Sequence, residues 1–244
     1  QVKTKTGFKI EIIEKSEELR LIFQGLKKKL KNFKDIVKQG VMFVKVGSGN
    51  VEVAFLKQNE IFFSKTIPLG GLRLREILKE VPEEYFSSTL ENYITSDIRM
   101  LSQNIPQIKV KYLIATGNLL KMILFVLNEK NNKISLEKIE KLYDQIKDLS
   151  ISQIMSEYKL PVEKADLLIP TVFIYLKFLE FIRETKIHYI PLSFSETLIL
   201  QKAGLFKDKY FNKKIWKTAI KIGNKYQFDK SHALQVSKIA MQLF

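Results

Sequence analysis

The pattern of apolar and polar residues along the chain predicts strands that alternate with helices. Short apolar runs that are rich in β-branched and aromatic residues, and bounded by turn-forming or charged residues, have the length and composition of strands. Such runs lie at 41–46, 51–56, 61–67, 110–115 and 187–190. Residues 8–13 alternate apolar with charged side chains, which is typical of an edge strand or a half-buried strand.

Apolar residues at helical spacing fill the segments between these strands. Ser16 and Ser135 precede two such segments and are suited to cap helices, because a serine hydroxyl can accept a hydrogen bond from a free amide of the first turn. The other predicted helices begin near Gly70 and near Ser193, or lie at 83–101, 119–127, 152–158 and 162–182.

The order of these elements predicts an α/β fold with a mixed sheet. Three consecutive strands are followed by helices that alternate with strands, with extra helices inserted before the last strand. After Gly204 the chain carries lysines among aromatic residues and shows no further strand, and helices are predicted at 211–226 and 229–244. We therefore expect an α/β domain at 1–205 and a helical segment at 206–244.

Composition excludes some classes of protein. The chain has no cysteine, so disulfides, thiolate metal sites and cysteine nucleophiles are excluded. The longest uncharged apolar stretch, 167–176, is shorter than the roughly 18 to 20 residues that a membrane span needs, and nothing near Gln1 resembles a secretory signal. We therefore expect a cytoplasmic protein with no membrane partner. Because Gln1 is not an initiator methionine, we also expect a piece of a longer protein.

The formal net charge of +15 comes mainly from lysine. A positive field of this size can concentrate polyanions, but lysine runs such as 27–29 also fit the solvated face of a helix, and the sequence leaves both interpretations open. Nucleic acid is an unlikely partner, because no segment interleaves aromatic residues with the arginines that bind bases and phosphates.

Two predicted turns have the composition of anion-binding loops. Gly47, Ser48, Gly49 and Asn50 link two strands, and glycines there would let backbone amides approach a phosphate closely. The turn 116–118 (Thr116, Gly117, Asn118) opens a helix, whose free amides and dipole favour an anion. Any tight hairpin also requires such a link, and residue types alone favour that structural explanation for 47–50. A plain strand-to-helix turn explains 116–118 as well as an anion site does.

A series of short motifs runs almost from end to end of the chain. It comprises the paired glutamates Glu17 and Glu18 followed by Arg20 and Gly25, the hairpin 46–53, a proline-leucine-glycine stretch at 67–74, the turn 115–118, the segment 164–170, the segment 194–198 and a helix start at His232 and Ala233. In this order the motifs resemble those of the exopolyphosphatase and guanosine pentaphosphate phosphohydrolase (Ppx/GppA) family.

The resemblance implies a fold and a set of site residues. It implies an actin-like (ribonuclease H-like, ASKHA) lobe, the second of the family's two, followed by the start of a helical domain similar to metal-dependent (HD-like) phosphohydrolases. Glu18 would be the general base and Glu52 a carboxylate that handles metal and phosphate. The loops 47–50 and 116–118 would bind phosphate. From residue types alone, Glu18 is equally a first-turn glutamate favoured by the helix dipole.

The resemblance also implies an activity. Relatives release phosphate from polyphosphate or guanosine pentaphosphate with Mg²⁺ as cofactor, and they commonly form homodimers through their helical domains. Here Lys45 stands where the family has an aspartate, and Ser195 stands where it has an arginine. An ammonium repels a metal ion although it can bind phosphate directly. The sequence therefore predicts a phosphoanhydride hydrolase, or alternatively a non-catalytic protein that binds polyphosphate or nucleotide or serves as a structural partner.

Overall fold

The structure is a computed structural model that describes residues 5–7, 11–58, 60–105, 109–183, 186–206, 220, 223–224 and 227–243. The chain divides into two compact units, 1–197 and 198–244. The first unit holds the sheet, and the second holds the end of one helix and a later helix near the C-terminus.

The first unit is built on one mixed sheet of six strands in the order β3-β2-β1-β4-β6-β5. The strands are β1 (Val41–Val46), β2 (Val51–Lys57), β3 (Glu60–Ile67), β4 (Tyr112–Ala115), β5 (Lys133–Ser135) and β6 (Lys186–Tyr189). The predicted mixed sheet is confirmed, but the edge strand predicted at 8–13 is wrong where the structure describes it. Residues 11–14 have no regular structure and the side chain of Ile12 is 91% exposed, while 8–10 lie outside the described residues.

The described part of the chain contains ten helices of six residues or more. They are α1 (Lys15–Lys29), α2 (Phe33–Lys38), α3 (Gly71–Ile77), α4 (Glu83–Asn104), α5 (Asn118–Val126), α6 (Leu136–Ile146), α7 (Ile151–Tyr158), α8 (Val162–Ile182), α9 (Phe194–Lys202) and α10 (Lys230–Leu243). None of these described helices combines the length and the apolar character that crossing a membrane requires. The helix predicted at 211–226 falls mostly outside the described residues.

The two serines predicted to cap helices behave differently. Ser135 caps α6 as expected, because its hydroxyl accepts a hydrogen bond from the Lys138 amide. The prediction for Ser16 is wrong: α1 begins one residue earlier, and Glu14 occupies the N-cap position without a side-chain cap bond. Ser16 therefore lies inside the first turn of α1 and not at its N-cap.

Alternation along the central strands sorts their side chains between two buried faces. Val44, Val46 and Val53 pack into the larger core beneath α3 to α8, whereas Phe43 and Ala54 pack into a smaller core beneath α1 and α2. The central strands β1 and β2 are therefore covered on both faces, as their continuous apolar sequences require. By the same alternation, the side chains at positions 45 and 52 face the α1 side.

The direction of the strands defines one functional edge of the sheet. β1, β4 and β6 run parallel, while β2 is antiparallel to β1 and β5 is antiparallel to β6. After β1 the chain builds β2 and β3 on one side, and then returns to place β4 on the other side. In open α/β sheets the crevice outside the carboxyl ends of the strands at such a reversal is where ligands bind.

Candidate functional site

A cleft lies at the carboxyl ends of the three parallel strands. Its volume is about 560 Å³, which is within the range of cavities that bind small ligands. It is lined by Ile22, residues 45–48, 116–119, 121, 189 and 191–196. Five of the predicted phosphate-binding residues line it, namely Gly47, Ser48, Thr116, Gly117 and Asn118. Gly49 and Asn50 complete the hairpin but do not line the cavity.

The hairpin loop is held in place by the start of α3. The carbonyl of Ser48 accepts hydrogen bonds from the amides of Leu72, at 2.8 Å, and Arg73, at 3.4 Å. Gly70 approaches the hairpin so closely that a Cβ there would lie 2.2 Å from the Ser48 oxygen. Within the loop, the Gly47 amide donates to the Asn50 carbonyl at 2.8 Å. That amide is therefore used inside the hairpin, unlike the open nest expected from its sequence.

The turn after β4 presents a helix start to the cleft. Gly117 has φ 108° and ψ 164°, a conformation essentially confined to glycine. This turn lets α5 begin at Asn118, so the free amides of a nine-residue helix open at the cleft. The adjacent Thr116 is only 1% exposed. A helix start in this position provides donors and a favourable dipole for an anion.

A third loop, after β6, also lines the cleft. The resemblance included its segment 194–198, but none of its residues was predicted as a site residue. Ser193 accepts a hydrogen bond from the Glu196 amide at 3.1 Å and so caps α9. The Glu196 carboxylate pairs with Lys29 at 2.8 Å, and that lysine also donates to the Pro191 carbonyl at 2.7 Å. This loop was predictable in position only, since it follows a parallel strand. Lys121 of α5 also lines the cleft and carried no sequence signal.

Beside the cleft, two carboxylates and two lysines form a compact charge cluster. Lys45 lies opposite Glu52 across the β1–β2 pair, and its Nζ is 3.5 Å from both carboxylate oxygens of Glu52. The same Nζ donates to Glu18 Oε1 at 2.5 Å. Lys15 Nζ lies 2.8 Å from Glu18 Oε2 and 3.1 Å from Glu52 Oε1. The structure thus brings together the two predicted carboxylates, and joins them through lysines.

Burial differs within this cluster, which we call the carboxylate–lysine cluster. The side chains of Glu52 and Glu18 are 8% and 13% exposed, and those of Lys45 and Lys15 are 23% and 55% exposed. Of these four residues, only Lys45 lines the cleft, and its stem passes Gly117, whose Cβ position lies 3.8 Å from Lys45 Cγ. Lys45 therefore stands between the carboxylates and the space where a ligand would bind.

The lysines decide the charge state of Glu18. Burial alone would raise the pKa of its carboxyl, but hydrogen bonds and charge interactions with Lys15 and Lys45 outweigh that effect and hold the pKa below its ordinary value. The pKa of Lys15 is raised, chiefly by its hydrogen bond to Glu18, against the opposing effect of burial and with help from Glu52. Glu18 is consequently an ionised carboxylate at neutral pH.

The adjacent glutamate has a different partner. Glu17 receives two hydrogen bonds from the guanidinium of Arg20, from Nε at 2.6 Å and from Nη2 at 2.5 Å. Arg20 is only 6% exposed, and this two-point contact joins two side chains within the first turns of α1. The paired glutamates of the sequence therefore have different partners: Glu17 binds Arg20 within α1, and Glu18 joins the carboxylate–lysine cluster.

The residues of this cluster do not fit a magnesium ion. Mg²⁺ demands near-octahedral oxygen ligands at about 2.0 to 2.1 Å. Here the space shared by Glu18 and Glu52 is taken by the ammonium of Lys45, and the described residues contain no group of three acidic, histidine or cysteine side chains that could hold a metal. Among the described residues, the expected Mg²⁺ therefore has no set of ligands.

Comparisons with known proteins agree with this architecture. The family model of the Ppx/GppA phosphatase family matches residues 1–206. Similar solved structures include an Aquifex aeolicus member of the Ppx/GppA family, with TM-score 0.68, 16% identity and coverage of 83% of this chain and 67% of that chain. An exopolyphosphatase from Cytophaga hutchinsonii has TM-score 0.69, 18% identity and coverage of 84% and 69%. No match was found among curated proteins.

The structural likeness confirms the expected actin-like α/β fold, while the family match covers most of the chain. The chain therefore belongs to the Ppx/GppA phosphatase family.

Proposed function

We propose that this protein binds a linear phosphate chain in the cleft and hydrolyses its terminal phosphoanhydride bond, releasing phosphate from polyphosphate or guanosine pentaphosphate. The observation that carries the proposal is the convergence of three loops at the carboxyl ends of β1, β4 and β6. The hairpin, the start of α5 and the loop 191–196 line one cavity together with Lys45. This is the position in which α/β folds hold phosphates.

The electrostatics of the cleft support a phosphate ligand. The cleft presents hydrogen-bond donors that are neutral or positively charged. They are the amides at the start of α5 and the ammonium groups of Lys45 and Lys121. Glu196 is the one carboxylate among the lining residues, and it is neutralised by Lys29. An exopolyphosphatase among the structural neighbours agrees with a ligand of this class.

In the proposed reaction, Glu18 orients the attacking water. The water oxygen forms a bond to the terminal phosphorus while the bridging P–O bond breaks, so orthophosphate and a shortened chain leave and one proton passes to solvent. The lowered pKa of Glu18 makes its carboxylate a weak base. Phosphoryl transfer, however, depends mainly on positioning of the water and stabilisation of charge. Glu18 would need to exchange one lysine contact for the water.

A second candidate function is phosphate-chain binding without turnover. The observation that favours it is that both carboxylates are already paired with Lys45 and Lys15, which leaves them fewer oxygen lone pairs for a water molecule. We expect a cytoplasmic protein in either case, and dimerisation through the helical domain and the boundary at 205 remain predictions.

The test is phosphate release from long-chain polyphosphate and from guanosine pentaphosphate by the full-length protein, beside a binding titration with each compound. Hydrolysis predicts release by the wild type, together with binding but no release by Glu18→Gln. Binding without release by the wild type would favour the second candidate. Absence of both binding and release would contradict the proposed function.

A further inference from the structure

Lys45 occupies a position that is defined on three sides. It is the penultimate residue of β1, it faces Glu52 across the strand pair, and its Nζ contacts Glu18 of α1. Directly opposite residues of an antiparallel pair bring their Cβ atoms to about 4.5 to 5.5 Å, so the Lys45–Glu52 contact is imposed by the sheet register. The contact with Glu18 adds the second carboxylate.

An ammonium in this position has the electrostatic effect of a bound cation. Two carboxylates that share a site repel each other, and one of them would take up a proton unless a positive charge lay between them. Lys45 supplies that charge with its Nζ 2.5 Å from one carboxylate and 3.5 Å from the other. Because a protonated amine has no lone pair and repels Mg²⁺, a metal could enter only if Lys45 left.

Lys45, rather than Lys15, is the cation that matters for a ligand. Lys15 is 55% exposed and does not line the cleft, so its interactions are screened by solvent. Lys45 is 23% exposed and does line the cleft. An ammonium has three N–H donors, and its two carboxylate partners leave one donor for an oxygen of a bound phosphate.

We propose that Lys45 is the built-in cation of this site: its ammonium neutralises Glu18 and Glu52 and binds a phosphate oxygen, so that the phosphate chain is held without a divalent metal. The phosphate part of this inference rests on the proposed function, whereas exclusion of metal by Lys45 does not. The two parts therefore need separate measurements.

The first measurement is a calorimetric titration of metal-free wild-type protein with Mn²⁺, which reports ion binding without any phosphate ligand. We expect no Mn²⁺ site that depends on the two carboxylates in the wild type, and a new site in Lys45→Ala that is lost again in Lys45→Ala/Glu52→Gln. Lys57→Ala is the matched control, because Lys57 also faces a glutamate, Glu60, across a strand pair but lies at the other end of β2.

A wild-type Mn²⁺ site that is abolished by Glu52→Gln would overturn the exclusion of metal. So would a folded Lys45→Ala variant with no more Mn²⁺ binding than Lys57→Ala. If Lys45→Ala does not fold, Lys45→Met is used in its place, because methionine keeps the apolar stem and removes only the charge. The wild-type titration tests the exclusion of metal without either variant.

The second measurement is binding of tripolyphosphate in excess EDTA. We expect the wild type to bind, Lys45→Met to bind about tenfold or more weakly, as for loss of a hydrogen bond between charged groups, and Lys57→Ala to change by less than about twofold. Binding that is lost in EDTA and restored by Mg²⁺ would overturn metal-free recognition. Failure to bind under both conditions would instead contradict the proposed function, and the Mn²⁺ titration would still decide the role of Lys45.

Discussion

The Nζ of Lys45 lies 2.5 Å from Oε1 of Glu18, and this contact joins strand β1 to helix α1 beside the cleft. Both side chains are mostly buried, at 23% and 13% exposure, so solvent screens the pair less than it screens a surface ion pair. The contact therefore has two consequences: it helps to fix α1 on the sheet, and it sets the charge of the site.

The first prediction concerns the energy of this pair. In a double-mutant cycle of Lys45→Met and Glu18→Gln, measured by urea unfolding, we expect a coupling free energy of about 1 to 2 kcal/mol, within the range for residues in one ion-pair network. The parallel cycle of Lys15→Met and Glu18→Gln should give less than about 1 kcal/mol, because Lys15 is largely exposed. Equal coupling in the two cycles would contradict the special position of Lys45.

The second prediction concerns the packing of the hairpin. Gly70→Ala would place a Cβ 2.2 Å from the Ser48 oxygen and 2.4 Å from the Asn50 nitrogen, all of it backbone that cannot swing aside. We expect a loss of about 2 to 3 kcal/mol in the free energy of unfolding, as in overpacked sites, and weaker phosphate binding because the loop must move.

Gly49→Ala is the control for that experiment. A Cβ at Gly49 meets nothing within 4 Å, and we expect a change of less than about 0.5 kcal/mol. If the two alanine variants had the same stability, the hairpin would not be held by the start of α3.

The third prediction concerns the turn that opens α5. Gly117→Ala forces a side chain onto a residue with φ 108°, at a cost of about 1 to 3 kcal/mol. Because this turn directs the first amides of α5 into the cleft, we expect Gly117→Ala to weaken tripolyphosphate binding as well as to lower stability. Thermal unfolding and calorimetric binding measure the two effects, and unchanged binding in a destabilised variant would remove α5 from the phosphate site.

The fourth prediction concerns pH. Burial, followed by the charges of Lys133 and Lys186, lowers the pKa of His188 below its ordinary value of 6.5. The unfolded chain then binds a proton more readily than the folded one, so this histidine makes the protein less stable as the pH falls from about 7.5 to about 5.5. His188→Gln should flatten this part of the stability profile, measured by urea unfolding at each pH. If the slope of stability against pH were the same in His188→Gln as in the wild type, His188 would not be the source of this pH dependence.

Much of the sheet was predictable because its central strands are buried on both faces and show as apolar runs. β5 was missed because it has only three residues, two of them polar, and pairs at the sheet edge. The helix α2 was missed because six residues are too few to show a helical period, although Phe33 and Val37 are buried. Tertiary contacts, rather than local propensity, hold both elements.

The site was predictable in part for the same kind of reason. Loops that follow parallel strands meet at one edge, which brings Ser48 and Gly117 together. The Lys45–Glu52 pair was also predictable from the sequence, because a four-residue link at 47–50 places residue 46 opposite 51 and residue 45 opposite 52. The contact of Lys45 with Glu18 was not predictable from the strand pattern, because it depends on how α1 packs on the sheet. The two residues are 27 positions apart in the sequence.

The central claim is that the cleft at the ends of β1, β4 and β6 binds a phosphate chain. The most direct measurement is NMR mapping of backbone amides during titration with tripolyphosphate in metal-free buffer. We expect the largest shifts at Ser48, at 116–119 and at 193–196, which saturate together with one affinity. Shifts that instead follow the lysines of α1 and α2, and disappear with added salt, would contradict the claim and leave only a basic surface.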